Sequence, residues 1–180
     1  MPTMSEAAFR KSREGLGPDF RLRRAMPLEA PALSSLARRS KAYWGYGEEF
    51  IEACQSELTL TPEFVENGEV HVIERDGCVA GFYSLAEWNS DVELHHFFVD
   101  PPLIGKGAGR LLWDDAVERA VALGYGRLLI QSDPNAEGFY LKLGAERIGD
   151  VPSQAVAGRL LPLLLFPLQD GRDSLAGAGR

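Results

Sequence analysis

The spacing of hydrophobic and polar residues predicts strands and helices in a mixed order. Residues 20–24 alternate apolar and basic side chains, which predicts a first strand. Residues 28–39 carry apolar side chains at helical spacing, and a second short helix is predicted over residues 48–57. The apolar runs 70–74 and 79–86 flank Asp76-Gly77, a pair typical of a two-residue turn, so they predict a β-hairpin.

The second half of the chain alternates strands with helices. It is predicted to contain, in order, strand 92–99, helix 107–123, strand 127–131, helix 136–143, a strand beginning at 146–149, and strand 160–168. Pro162 and Pro167 place the last strand at a sheet edge or beside a bulge, because proline donates no ladder hydrogen bond. A meander followed by strand–helix–strand units predicts a mixed α/β fold, with a mostly antiparallel central sheet and flanking helices.

Length and composition indicate one domain. The 180 residues can form a single hydrophobic core, which we assign to residues 19–168. Residues 1–18 are predicted to be a flexible leader and residues 169–180 a flexible tail, because neither shows a hydrophobic period. The longest apolar run is too short to cross a bilayer and no signal peptide is evident, so we expect a cytoplasmic protein without membrane contact.

Charge and cysteine content exclude other classes of protein. The formal net charge of -7 argues against a nucleic-acid binder, which would show a basic surface. Cys54 and Cys78 lack the spacing of metal ligands, and no pair of histidines has it either. We therefore predict no metal site.

A glycine-rich loop, Gly105-Lys106-Gly107-Ala108-Gly109, joins a predicted strand to the long helix. The first amides of a helix have no intrahelical partner, and with the helix dipole they can hold a phosphate or pyrophosphate. The loop lacks the Lys-Ser/Thr pair of a Walker A sequence, and Arg110 stands where a Rossmann loop has its third glycine. A simple helix-entry turn is the alternative.

The segment from Val99 to Arg110 resembles the acyl-coenzyme A motif of the GNAT N-acyltransferases, V-x-P-x-x-x-G-x-G-x-G. The resemblance covers most of the chain, residues 20–168, and implies the GNAT fold with acetyl-coenzyme A as co-substrate. Ile104 replaces the arginine or glutamine usual in the family, so no polar side-chain contact is expected there. By resemblance the cofactor contacts Phe98, Val99, Ile104, Gly105, Lys106, Gly107, Ala108, Gly109 and Arg110.

The segment from Asn135 to Ala145 is similar to a second GNAT signature, N-x-x-x-F-Y-x-x-x-G-F. The resemblance implies that Tyr140 protonates the departing thiolate. A phenol with a pKa of about 10 can protonate a thiolate whose pKa is about 8.5 or higher. Asn135 either contacts the pantetheine arm or caps the following helix, and the two roles are compatible.

The strand before the glycine loop supplies candidates for a base. An attacking amine must lose a proton, because alkylamines are charged at neutral pH. The two-residue period of a strand places Glu93, His95 and Phe97 on one face and the intervening residues, including a core His96, on the other. Glu93 and His95 are both candidate bases, with substrate recognition as the alternative.

Aromatic residues mark a candidate acceptor pocket. Tyr43, Trp44 and Tyr46 lie in one predicted loop, and Ser153 lies in the loop before the last strand. They could bind a cationic amine, or they could simply anchor their loops.

The function predicted from the sequence is therefore acetyl transfer to a primary amine of a small metabolite. A protein lysine or N-terminal amine is the alternative acceptor. A non-catalytic module that binds acyl-coenzyme A is an alternative of another class, and a homodimer is possible.

Overall fold

The computed structural model describes residues 20–168. The predicted leader, 1–18, and tail, 169–180, lie outside these described residues. Within residues 20–168 the sheet has seven strands in the order β1-β2-β3-β4-β5-β7-β6. Their bounds are β1 Phe20–Arg24, β2 Glu69–Arg75, β3 Cys78–Trp88, β4 Asp91–Val99, β5 Arg127–Gln131, β6 Glu146–Pro152 and β7 Leu160–Pro167.

The mixed, mostly antiparallel sheet is confirmed, since β4 and β5 form the one parallel pair among the described strands. Helices cover both faces. Their bounds are α1 Ala30–Ala42, α2 Glu48–Ala53, α3 Gln55–Leu58, α4 Pro62–Asn67, α5 Ala108–Ala122 and α6 Glu137–Lys142. The first four pack on one face, and α5 and α6 pack on the other, so each face has its own hydrophobic core. None of these helices combines the length and hydropathy that a membrane span requires.

The predicted hairpins are confirmed. Asp76 and Gly77 adopt left-handed backbone angles, φ 52° and 76°, as a two-residue turn between twisted strands requires. Asn89 also has a positive φ of 53° and turns the chain from β3 into β4. Short polar side chains and glycine tolerate this region, which explains why the turn residues were recognisable in the sequence.

The helices between α1 and β2 differ from the prediction. Residues 48–57 form two short helices that meet at Cys54 instead of one continuous helix. The prediction missed α4, although its start is marked in the sequence. The Thr61 side chain accepts a hydrogen bond from the Phe64 amide, and Pro62 occupies the first turn, where its missing N–H costs nothing.

Of the two positions predicted for the last strand, the sheet edge is wrong, because β7 lies between β5 and β6. The position beside a bulge is confirmed, since the register between β6 and β7 shifts opposite Leu163, next to Pro162. Both prolines sit near the ends of β7, where the ladder to β5 stops. Pro167 pairs with Arg127 at the start of β5, and Pro162 lies beyond the last pair, Gln131 with Leu163. The missing N–H groups therefore do not interrupt the middle of the sheet.

A β-bulge in β4 changes which side chains share a face. The register shifts so that Ser84 opposes His96 while Leu85 opposes Leu94, which leaves His95 as an extra residue. Before the bulge Leu94 packs in the core beneath α5, and after it Phe97 packs in the same core. The predicted sharing of one face by Glu93 and Phe97 is therefore wrong.

The strands β4 and β5 separate soon after they meet. Only Val92 and Glu93 pair with β5, opposite Leu128 and Leu129. Beyond Glu93, β4 follows β3 and β5 follows β7, so a gap opens in the middle of the sheet. Among the described strands, none lies beside the backbone groups that line this gap.

We expect Gly81→Ala to destabilise the fold. A Cβ at this position would lie 2.8 Å from the Phe98 carbonyl oxygen and 2.9 Å from the Leu112 side chain, where α5 packs closely on β3. Overpacking of this kind costs about 1–3 kcal/mol of unfolding free energy, measurable by urea denaturation. Gly149→Ala is the matched control, because nothing lies within 4 Å of the added Cβ. Equal stabilities of the two variants would contradict the close packing.

Candidate active site

A cavity of about 390 Å³ opens where β4 and β5 separate. One end reaches the glycine loop, and the walls come from β4, the end of β5, α6 and the helices α1 to α3. Its polar lining combines Ser40, Lys41, Glu57, Glu93, His95, Gln131, Asp133, Asn135 and Tyr140. Among residues 20–168, no three histidine, cysteine or carboxylate side chains are grouped as metal ligands.

The glycine loop presents unpaired amides at the start of α5. Gly105 and Gly107 have positive φ angles of 76° and 93°, a conformation in which a side chain would be strained. Within the described chain, no backbone acceptor pairs with the amides of Gly105, Gly107, Ala108 and Gly109. These four donors and the positive end of the helix can hold an anion.

The remaining loop residues contribute differently from the prediction. The amides of Ile104, Lys106 and Arg110 donate to carbonyls of the loop itself, at 3.1–3.2 Å. The Arg110 guanidinium pairs with Asp114 one turn along α5, 2.9 Å away. The apolar Ile104 side chain packs against the core and lines the cavity. The free amides therefore lie at residue 105 and residues 107–109, a narrower set than the one predicted.

Val99, rather than Phe98, directs its amide into the gap. The amide of Asp100 donates to Ala80 in β3 at 2.9 Å, so the amide of Phe98, two residues earlier, also faces β3. The amides of Val99 and Phe97 face the opposite way, where β5 has moved off. The Phe98 ring instead packs on Phe82.

Tyr140 lies in α6 with its ring buried and its hydroxyl next to the cavity. Its side chain is 5% exposed and contacts the rings of Phe97, Trp113 and Phe139. No group in residues 20–168 forms a hydrogen bond with its hydroxyl, which retains access to the cavity. Burial, together with the charge of Asp133, raises the pKa of Tyr140, so the phenol keeps its proton at neutral pH.

Glu93 and His95 form a pair at the bulge. The Glu93 side chain is 11% exposed, and its carboxylate accepts a hydrogen bond from the Gln131 amide at 2.9 Å. Its other oxygen lies 3.4 Å from His95 Nδ1, and the His95 side chain is 45% exposed. The interaction with Glu93 raises the pKa of His95 against the opposing effect of burial. The predicted pair is therefore brought together, with Glu93 inside and His95 at the opening.

His96 is a buried neutral histidine, as the sequence indicated. Its Nδ1 lies 2.7 Å from the Ser84 hydroxyl, and its Nε2 lies 3.1 Å from the Glu57 carbonyl oxygen. Burial, and then the neighbouring charge of His95, lowers the pKa of His96 to about 4. Both ring nitrogens are occupied, so this side chain fixes α3 against β4.

A network centred on Asp133 was not predicted. The Asp133 carboxylate accepts hydrogen bonds from Lys41 at 2.7 Å and Tyr46 at 3.0 Å. Arg159 donates to the Tyr46 hydroxyl at 2.7 Å and lies 3.4 Å from the carboxylate. Burial alone would raise the pKa of Asp133, but the combined effects of Lys41, the Asn135 amide and the Tyr46 hydroxyl outweigh burial, and the pKa is lowered. Asp133 lies two residues beyond the end of β5, and the carboxyl end of a parallel strand was the available signal.

Asn135 joins the same network and does not cap α6. Its side chain donates to Tyr46 and Asp133, both at 3.1 Å, and its amide donates to the Asp133 carboxylate. The residue at the N-cap position is Ala136, without a side-chain hydrogen bond. The capping role is thus wrong, while Asn135 does line the cavity.

The predicted acceptor residues separate into two groups. Trp44 lines the cavity, and Tyr46 stacks on Phe50 with its hydroxyl in the Asp133 network. Tyr43 is exposed and contacts the edge of Trp44, outside the lining. The Ser153 hydroxyl accepts a hydrogen bond from the Val156 amide, so it shapes its own loop.

The sequence was compared with models of protein families and with curated proteins. The family model described as "Acetyltransferase (GNAT) domain" matches residues 29–159. No curated protein sequence matches the chain significantly.

Solved structures share the fold at low sequence identity. A GCN5-related N-acetyltransferase from Rhodopseudomonas palustris superposes with a TM-score of 0.72 and 20% identity, over 85% of this chain and 98% of that one. PaiA N-acetyltransferase from Thermoplasma acidophilum, in complex with coenzyme A, has a TM-score of 0.65 and 19% identity over 82% and 98% of the two chains. The structure of yncA from Salmonella typhimurium with acetyl-coenzyme A has a TM-score of 0.61 and 22% identity, over 84% and 95%.

The buried His96 predicts a specific loss of stability in acid. Its pKa of about 4 in the fold is below the value of about 6.5 in an unfolded chain. Its contribution is therefore complete above pH 6.5 and is lost as the pH falls towards 4, by up to about 3 kcal/mol. His96→Gln, which keeps a donor and an acceptor, should flatten this part of the curve in urea denaturation from pH 7 to 4. Parallel curves for the two proteins would contradict the assignment.

Proposed function

Because the chain belongs to the GNAT family of acetyltransferase domains, we propose that it is an N-acetyltransferase. In this proposal acetyl-coenzyme A donates its acetyl group directly to a primary amine of a small metabolite. The observation that carries the proposal is the gap between β4 and β5, which joins the free amides of residues 105 and 107–109 to the cavity beside Tyr140.

The free backbone groups along the gap suit the coenzyme. Its diphosphate would accept hydrogen bonds from the amides at the start of α5, where the helix dipole favours negative charge. The pantetheine arm would occupy the place that β5 leaves, and its amides would pair with the free backbone of Phe97 and Val99. When bound, acetyl-coenzyme A supplies an activated acetyl group with a thiolate as the leaving group.

Glu93 and His95 would prepare the acceptor. A charged amine has no free electron pair, so one group of the protein must accept its proton. His95 is exposed at the cavity opening, and the Glu93 carboxylate raises the pKa of its imidazole. Glu93, held by Gln131, would orient the ring and stabilise its charged form. We therefore assign proton acceptance to His95 and its positioning to Glu93.

Val99 and Tyr140 would act on the donor side. The Val99 amide faces the gap and can donate to an oxygen that gains negative charge. The Tyr140 hydroxyl has no protein partner within residues 20–168, and its raised pKa keeps the proton that a departing thiolate needs. Direct transfer requires no enzyme nucleophile. Burial raises the pKa of the Cys54 thiol, which disfavours its reactive thiolate.

A small acceptor is favoured over a protein surface by the closure of the cavity. Lys41 at the end of α1, Tyr46 in the following loop and Arg159 in the loop after β6 are all joined to Asp133. These contacts bring the loops after α1, β5 and β6 together around the acceptor end. A folded protein substrate would need a more open groove.

We expect Tyr140→Phe to lower kcat by about 100-fold, because general acid catalysis typically contributes at least that factor. Acetyl-coenzyme A affinity should be unchanged within about twofold in calorimetry, since the buried ring is retained. Thiol release over a panel of amines measures the first quantity.

Tyr125→Phe is the control, because this tyrosine is absent from the cavity lining. An unchanged kcat in Tyr140→Phe would remove the phenol from the mechanism. Stoichiometric acetyl-coenzyme A binding without turnover on any amine would instead favour a non-catalytic module.

Glu93→Gln should shift the pH dependence of kcat/KM. Loss of the carboxylate lowers the pKa of His95, which Glu93 raises in the native protein. A base works when unprotonated, so activity should rise at lower pH in the variant. The same amine is used for both proteins, which keeps the substrate's own ionisation constant. NMR titration of His95 gives its pKa directly. If kcat/KM rises with pH at the same pH in both proteins, His95 is excluded as the proton acceptor.

A further inference from the structure

The acceptor end of the cavity carries charges of both signs on different walls. Glu93 and Glu57 lie near His95, whose pKa responds to both carboxylates, and all three line the cavity. Lys41 also lines it, from the side of α1. The buried Cys54 also lines the cavity, and the charges of Lys41 and Glu57 act on the pKa of its thiol in opposite directions.

Near α1, two cationic side chains share a single carboxylate, which leaves one positive charge without a balancing negative charge among the described residues. Lys41 and Arg159 both approach Asp133, at 2.7 and 3.4 Å, and the other members of the network, Tyr46 and Asn135, are uncharged. The side chains of Lys41, Asp133 and Arg159 are only 16%, 12% and 17% exposed. An unbalanced charge that is poorly hydrated favours a further anion.

Both cations keep donors that the network does not use. Lys41 has three N–H bonds, and the described residues accept only one of them, through Asp133. Arg159 donates through Nη2 alone, while its plane rests on the rings of Phe50 and Tyr46, 4.6 and 5.0 Å from its central carbon. These ring contacts hold the guanidinium outside the cavity lining, to which Lys41 belongs.

We propose that the acceptor is an amino acid or a similar molecule whose amine lies close to a carboxylate. Lys41 would bind this carboxylate, and its negative charge would offset the positive charge of Arg159. The amine then points to the wall that carries Glu93 and His95. One carboxylate added to two cations and Asp133 makes the network neutral. The inference rests on the proposed acetyl transfer and adds the class of its substrate.

The wild-type protein tests the inference with pairs of substrates. Each standard amino acid that has a primary amine is compared with its carboxamide, by kcat/KM in the thiol-release assay. The carboxamide has an amine pKa of about 8, like a peptide, so it offers more free base at neutral pH than the amino acid does. A pocket without carboxylate recognition would thus favour the carboxamide. We expect the best free acid to exceed its carboxamide about tenfold.

Lys41→Gln removes the charge and tests its role. We expect the free acid to lose its advantage, so that the ratio to the carboxamide falls to about one. Acetyl-coenzyme A affinity, measured by calorimetry, reports whether the variant is folded. Arg38→Gln is the matched control, because it removes one positive charge from the same helix outside the cavity lining. It should keep the tenfold ratio.

The outcomes separate this inference from the proposed function. A wild-type ratio of one or less, or acetylation of peptide amines in preference to amino acids, overturns carboxylate recognition and leaves acetyl transfer standing. If the free acid keeps its tenfold advantage over the carboxamide in Lys41→Gln, Lys41 does not bind the carboxylate. Bound acetyl-coenzyme A without thiol release on any amine overturns the proposed function itself.

Discussion

The early separation of β4 from β5 is the constraint on which the rest of the site depends. Two residue pairs join β4 to β5. Beyond Glu93, among the described strands, β4 pairs only with β3 and β5 only with β7. Backbone groups at the middle of a sheet are normally satisfied by another strand. Here an extended ligand can take that place. The catalytic candidates lie around this opening because the opening is where the main chain is available.

Local sequence patterns accounted for the parts of the site that depend on a few consecutive residues. The left-handed backbone at Gly105 and Gly107 requires glycine, so the anion-binding turn is visible in the sequence. The order of the elements along the chain and most of their bounds were likewise predictable, because hydrophobic periods and turn residues act over short distances.

The parts that could not be predicted depend on contacts between distant segments. An extra residue at His95 is defined by the ladder with β3, and the period of β4 alone does not show it. The Asp133 network joins residues up to 113 positions apart, as Arg159 and Tyr46 illustrate. Pro162 indicated an edge strand or a bulge; it lies beside a bulge inside the sheet, at the end of the ladder with β5. Each of these features belongs to tertiary structure.

The extra residue at His95 also affects how this chain is compared with its relatives. It offsets the two halves of β4, so that Leu94 and Phe97 share a face although they are three residues apart. In a relative without the insertion, counting back from the glycine loop would reach a side chain on the opposite face. Equivalence between active-site residues in such proteins therefore has to be established by superposition, since an ungapped alignment would match the candidate base His95 with a core residue.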